Sequence, residues 1–126
     1  MNAELLTKYY AAWSKPAPDE ILACFTDDAV FEDLAFEAKF VGKEQIRSFI
    51  DLTYAGVPDF NVVPQKIVSE GDHAMATWIM SGTHSGDFPN LPATGKRFEV
   101  RAVSVVTFRD GLISEIVDYW NPGAFV

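Results

Sequence analysis

The chain has 126 residues, a formal net charge of −8, one cysteine and 48% hydrophobic residues. That length suits one domain over residues 1–126, large enough to bury a core without disulfide staples. The acidic balance excludes phosphate-binding and anionic-membrane surfaces, so the expected partner is a small apolar molecule, with no nucleic acid and no membrane.

Leu5, Leu6, Tyr9, Tyr10 and Trp13 recur at helical spacing and predict an amphipathic helix over 2–13. Lys15-Pro16-Ala17-Pro18 breaks it. Asp19 is the expected N-cap of a second short helix through Ile21, Leu22 and Phe25, which Thr26-Asp27-Asp28 ends. AVFEDL (29–34) alternates as a short strand. VGKEQIRSFIDLTYAG (41–56) is a third helix, with Ile46, Phe49 and Ile50 on its apolar stripe and Gly56 at its end.

Strands are then expected over 61–70, 74–85, 96–109 and 112–120, with DFPNLPATG (87–95) a loop and Asp110-Gly111 a hairpin turn. Helices followed by a meander argue an α+β fold, a curved antiparallel sheet covered on one face by N-terminal helices. A curved sheet closed by helices leaves a cone. Polar residues on its inner face mark that cone as a pocket.

Cys24 cannot form an intramolecular disulfide, and its neighbours Leu22, Ala23 and Phe25 suggest an inert buried thiol in the second helix. No secretory h-region is seen and no apolar run approaches ~20 residues, so a cytoplasmic protein is expected. Two histidines and one cysteine lack zinc spacing, and GxGxxG, P-loop and GxSxG motifs are absent. Neither metal nor cofactor is expected. Carboxylates, assisted by Tyr, His and Trp, are left to carry any chemistry.

Asp118 is the anomaly. In SEIVDYWN (114–121) the period is two, and Asp118 shares the apolar face with Ile116 and Trp120. A lone buried charge costs several kcal/mol, or the group takes up a proton. Asp118 is therefore either a catalytic acid on a pocket wall or a structural carboxylate bonded to a helix N-terminus or an Arg. Asp33 shares its face with Phe31 and is either a general base in an apolar pocket or a turn aspartate accepting backbone N–H groups. His84 follows Trp78, Met80 and Gly82 in parity, and either tunes a carboxylate or caps a strand end. Tyr9 shares a helix side with Leu5 and Trp13 and could donate to an oxyanion. Tyr10 points elsewhere. Trp13, Tyr54, Trp78 and Trp120 are core or pocket wall.

KYYAAW (8–13), CFTDDAVFEDLAF (24–36) and GKEQIRSFI (42–50) together resemble the first half of ketosteroid isomerase-like proteins. WIMSGTHSGDFPNLPATGKRFEVRAVSVVTFRDGLISEIVDYW (78–120) resembles SnoaL-like polyketide cyclases. Both belong to the nuclear transport factor 2-like superfamily. The resemblance implies a cystatin-like roll with a deep pocket, paired as a homodimer through the outer sheet face. It implies Tyr9 as the oxyanion tyrosine and Asp33 as the base.

The second oxyanion acid of the isomerases falls at Ser104, which argues against steroid isomerisation. Asp118 resembles the last-strand acid of limonene epoxide hydrolases. The other two members of that set fall at Trp78 and Met80, which argues against epoxide opening. The cyclase branch uses an Asp in aldol closure, and either Asp33 or Asp118 fits.

The expected function is a cofactor-free acid/base enzyme, of isomerase, aldol cyclase or dehydratase type, on a small apolar carbonyl compound. Asp33 or Asp118 removes the proton, Tyr9 and Ser104 steady the enolate, and the second carboxylate or His84 returns the proton. The alternative is a non-catalytic protein that binds a hydrophobic ligand. Val103, Val105, Ile113 and Val117 are expected on the outer face as the dimer seam.

Overall fold

Leu6, Tyr9, Tyr10, Ala12 and Trp13 bury one broad side of helix α1 (Asn2–Ser14) in the computed structural model, which describes residues 2–89 and 91–124. Pro18 opens helix α2 (Pro18–Leu22), where its fixed φ and missing N–H cost nothing. The N-cap is Ala17 and no side chain caps the helix. Asp19, the expected cap, lies in the first turn and pairs with Arg47.

The chain leaves helix three residues earlier than its pattern suggests, at Leu22 instead of Phe25. Cys24 lies in a turn and not in the helix, and strand β1 (Phe25–Asp33) begins at Phe25. The cause is long-range: Phe25 pairs with Ile113, whose N–H donates to Cys24 O at 2.8 Å. Thr26-Asp27-Asp28 is a bulge inside this strand, with Thr26 Oγ1 donating to Asp28 Oδ1 at 3.0 Å.

Strand β2 (Ala38–Val41) has no counterpart in the sequence-based expectation; it is a four-residue edge strand held only by β1. Helix α3 (Gly42–Gly56) follows as expected and buries Ile46, Phe49 and Ile50.

The remaining strands are β3 (Asn61–Glu70), β4 (His73–Thr83), β5 (Arg97–Arg109) and β6 (Leu112–Trp120). β4 stops at Thr83, short of the expected Ser85. There the chain turns off the sheet: His84 N–H donates to Lys96 O at 3.0 Å and Ser85 N–H to Gly56 O at 3.1 Å. The expected 87–95 loop follows, apart from Asn90, which lies outside the described residues. Asp110 and Gly111 both take positive φ, as a two-residue hairpin turn requires.

The six strands form one curved, unclosed sheet in the order β2-β1-β6-β5-β4-β3. The meander β3 to β6 is antiparallel as expected, and β1 joins it in parallel to β6. α1 packs on β3 and α3 on β1, so the helices cover the inner face.

On the outer face Val68, Met75, Val105 and Val117 stand in register across β3 to β6. Val68 and Met75 are 60% and 55% exposed. Ile113, expected in that seam, is fully buried on the opposite side. A register shift between Thr107 and Phe108 reverses the parity between Ile113 and Ile116.

Candidate active site

Between the helices and the inner sheet face lies a cavity of about 420 Å³. Tyr9, Tyr10 and Trp13 reach it from α1, Phe49 from α3, Phe31 and Asp33 from β1, Trp78 and Met80 from β4, and Asp118 and Trp120 from β6. Phe88, Pro89 and Leu91 close one side from the loop after β4.

Glycine makes that closure possible. Gly86 N–H donates to Gly56 O at 3.0 Å, and a Cβ on Gly86 would stand 2.0 Å from Ala55 O. Only a bare backbone fits so closely against the end of α3. The loop therefore lies on the helix and presents Phe88 to the cavity.

Two carboxyl groups share the wall. Asp33 and Asp118 are Cα partners on the parallel pair β1/β6, and both are buried, 4% and 6% exposed. Their surroundings differ. Asp33 Oδ1 accepts the Phe36 N–H and Oδ2 the Trp120 Nε1–H, each at 3.1 Å. Burial raises the Asp33 carboxyl, and the two N–H bonds pull it back toward ionisation. Asp33 is thus at once the turn aspartate and the pocket carboxylate that its sequence position suggested.

Asp118 has less support for a charge. Burial raises its carboxyl to about 8; a hydrogen bond from Ser104 opposes that rise and the charge on Asp33 adds to it. Ser104 Oγ donates to Asp118 Oδ1 at 2.6 Å, and Trp78 Nε1 donates to Ser104 Oγ at 2.9 Å. Among the described residues neither an Arg nor a helix N-terminus meets this carboxyl; its hydrogen-bond partner is Ser104.

Of the residues singled out in the sequence, Tyr9, Asp33, Trp13, Trp78, Asp118 and Trp120 meet at the cavity. Three do not line it. Ser104 lies beneath the wall, fully buried, between Trp78 and Asp118. Tyr54 gives its hydroxyl proton to Trp13 O and ties α3 to α1. His84 stacks on Phe88 at 5.1 Å, with Nδ1 3.4 Å from Thr94 Oγ1.

Tyr10 corrects the reading in the other direction. It lines the cavity beside Tyr9, 2% exposed, with its ring 5.7 Å from that of Trp78. Residues one apart on a helix point about 100° apart, and the cavity is wide enough to meet both. Burial and then the nearby Asp118 raise the phenols of both tyrosines. Phe36, Phe40, Phe60, Phe88 and Phe98 also line the cavity. The plentiful aromatics hinted at such a wall, but no spacing marked those five. Among the described residues, no group of three or more His, Cys, Asp or Glu is placed to hold a metal ion.

The family model for the SnoaL-like domain matches residues 6–116. No curated protein matches the chain. Solved structures do. A hypothetical protein with a ketosteroid isomerase-like fold from Catenulispora acidiphila, solved in complex with trimethylamine, is 25% identical, with TM-score 0.85 over 96% of this chain and 88% of that one. A candidate SnoaL-like polyketide cyclase from Jannaschia is 22% identical, with TM-score 0.88 over 98% and 88%. A candidate polyketide cyclase from Pseudomonas putida is 22% identical, with TM-score 0.86 over 100% and 96%. The last two likenesses establish the fold.

Proposed function

The chain belongs to the SnoaL-like domain family, and from that premise we propose that it is a cofactor-free acid/base enzyme acting on a small, uncharged, largely apolar carbonyl compound. The observation that carries this is the pair Asp33 and Asp118, adjacent in register on one wall and unequally supported as anions. Two acids in one apolar cavity divide their roles when their surroundings push their ionisations apart. In this reading Asp33, bonded by two N–H groups, is the carboxylate base. Asp118, raised to about 8, is the acid at neutral pH.

Asp33 takes a proton from the carbon α to the carbonyl, leaving an enolate. The Tyr9 hydroxyl on the wall donates a hydrogen bond to its oxygen. Asp118 delivers a proton to the substrate and Asp33 holds the one it removed, so the substrate's protons balance for an isomerisation; Asp33 then releases its proton to solvent and Asp118 takes one up, which restores the starting pair. In an aldol closure the same acid protonates the acceptor carbonyl as the new C–C bond forms. Among the described residues the lining contains no Lys, Arg or His, so a carboxylate or phosphate ester would meet two acids there.

The test is α-proton exchange in D2O, followed by NMR, with a panel of apolar ketones and β-keto esters. Exchange by the wild type that disappears in Asp33→Asn and falls steeply in Asp118→Asn is the expected result. Exchange unaffected by either change sinks the assignment.

A second reading is favoured by the wall itself, which is dominated by aromatic rings: a pocket that binds a hydrophobic or small alkylamine ligand without turning it over. Trimethylamine accompanies one similar structure, and aromatic walls attract ammonium groups. Binding with no exchange across the panel would move the assignment there. We further propose a cytoplasmic homodimer. The in-register apolar row on the outer face supports the pairing, and the free, buried Cys24 fits a reducing compartment.

A further inference from the structure

The hydrogen-bond chain under the cavity wall has a direction, and the direction follows from the donors available. An indole nitrogen can only donate, so Ser104 Oγ is the acceptor in its 2.9 Å contact with Trp78 Nε1. A serine hydroxyl has one proton to give. Asp118 Oδ1, at 2.6 Å, takes it. The Tyr10 hydroxyl, the other polar group near Ser104, makes no hydrogen bond of full geometry among the described residues, although Ser104 is near enough to oppose the rise of its phenol. With Ser104 donating, Asp118 Oδ1 is the acceptor, which leaves Oδ2 as the oxygen to carry an acid proton.

We propose that Trp78 and Ser104 are positioning residues that fix the acid proton of Asp118 on Oδ2, toward the substrate, by a one-way relay Trp78 → Ser104 → Asp118. Trp78 also contributes its ring to the wall, so one side chain shapes the cavity and aims its acid. The inference rests on the reading of Asp118 as the acid. It does not depend on any substrate having been found.

The opposite polarity is the competing arrangement: Asp118 keeps its proton on Oδ1 and gives it to Ser104. The two differ in sign. If Ser104 donates, it stabilises the carboxylate, and its removal makes Asp118 a weaker acid. If Ser104 accepts, it stabilises the neutral acid, and its removal makes Asp118 a stronger one. The other ionisable groups facing Asp118 are Asp33 on β1 and Tyr9 and Tyr10 on α1. They are unchanged in the variants, so they drop out of the comparison.

The experiment is a ¹³C NMR titration of the Asp118 side-chain carboxyl in the ligand-free protein, assigned with Asp118→Asn. The wild type is compared with Ser104→Ala, Ser104→Cys and Trp78→Phe. The expected result is an upward shift of the midpoint by about one pH unit in Ser104→Ala. A smaller upward shift is expected in Ser104→Cys, whose thiol is a weak donor, and in Trp78→Phe. A midpoint that is unchanged or moves down in the serine variants overturns the relay. If Ser104→Ala does not fold, the sign in Ser104→Cys decides alone. Because the titration needs no turnover, a failed relay and a failed enzymatic reading leave different records.

Discussion

Asp33 and Asp118 stand side by side in register on the parallel strand pair β1/β6, and each oxygen of Asp33 already accepts an N–H bond while Asp118 accepts an O–H bond from Ser104. Adjacent strands run about 4.8 Å apart, and two full charges at that spacing in an apolar wall are costly. The pair is built to hold one proton between pH values where ordinary aspartates hold none.

That proton makes folding stability depend on pH. Asp118 ionises from a usual value of 3.8 in the unfolded chain and about 8 in the folded one. Between those values the folded state keeps a proton that the unfolded state has lost. Stability from this group is full below about pH 4, declines as pH rises, and is lost above about 8. The slope approaches at most about 1.4 kcal/mol per pH unit. Thermal melts across about pH 5 to 8 should show the wild type losing stability relative to Asp118→Asn, whose curve is flatter. Parallel curves would place Asp118 in an unperturbed setting.

Trp120 supports the other acid. Trp120→Phe removes the donor to Asp33 Oδ2 and keeps most of the ring. The Asp33 carboxyl should then rise, because a bond to its charged form has been lost. The acid limb of the exchange-rate profile moves to higher pH, and the rate at pH 6 falls by roughly three- to tenfold. The alkaline limb, set by Asp118, stays where it is.

Gly86 and Gly56 separate stability from cavity shape. Gly86→Ala forces a Cβ against the Ala55 carbonyl, a backbone atom that cannot yield cheaply. A loss above about 1 kcal/mol in urea unfolding is expected. Gly56→Ala meets the Phe88 ring at 2.2 Å, so the ring must move. Ligand affinity by tryptophan fluorescence should change more than stability does.

The outer face supplies a test of assembly. Val105→Lys places a charge in the row formed by Val68, Met75, Val105 and Val117. Light scattering on a sizing column should find a dimer for the wild type and a monomer for the variant, with α-proton exchange retained. A monomeric wild type ends the homodimer reading.

Periodicity carried the sequence a long way. The three helices and the β3 to β6 meander were legible because each buries one face, and that face repeats every 3.6 or two residues. Asp118 was legible as well, since a carboxylate inside an apolar alternation stands out without any partner being known. Asp33 was legible as a residue of either a turn or a pocket, and its carboxyl both accepts the Phe36 N–H of the turn and lines the cavity.

What stayed hidden depends on residues far apart in the chain. The start of β1 at Phe25 is set by Ile113, and the four-residue β2 exists only because β1 offers it an edge. The parity slip that turned Ile113 inward arises in a register shift between two strands. Within the site, Trp78, Ser104 and Asp118 come from three different strands, so no local pattern could join them. Tyr10 was set aside because a helix pattern assigns sides, while the width of a cavity is decided by what packs around it. The amino-acid order determined which groups of this protein were available for acid/base work. Only the tertiary structure decided which of them share a wall, because hydrogen bonds and desolvation act through space and fall off within a few ångströms.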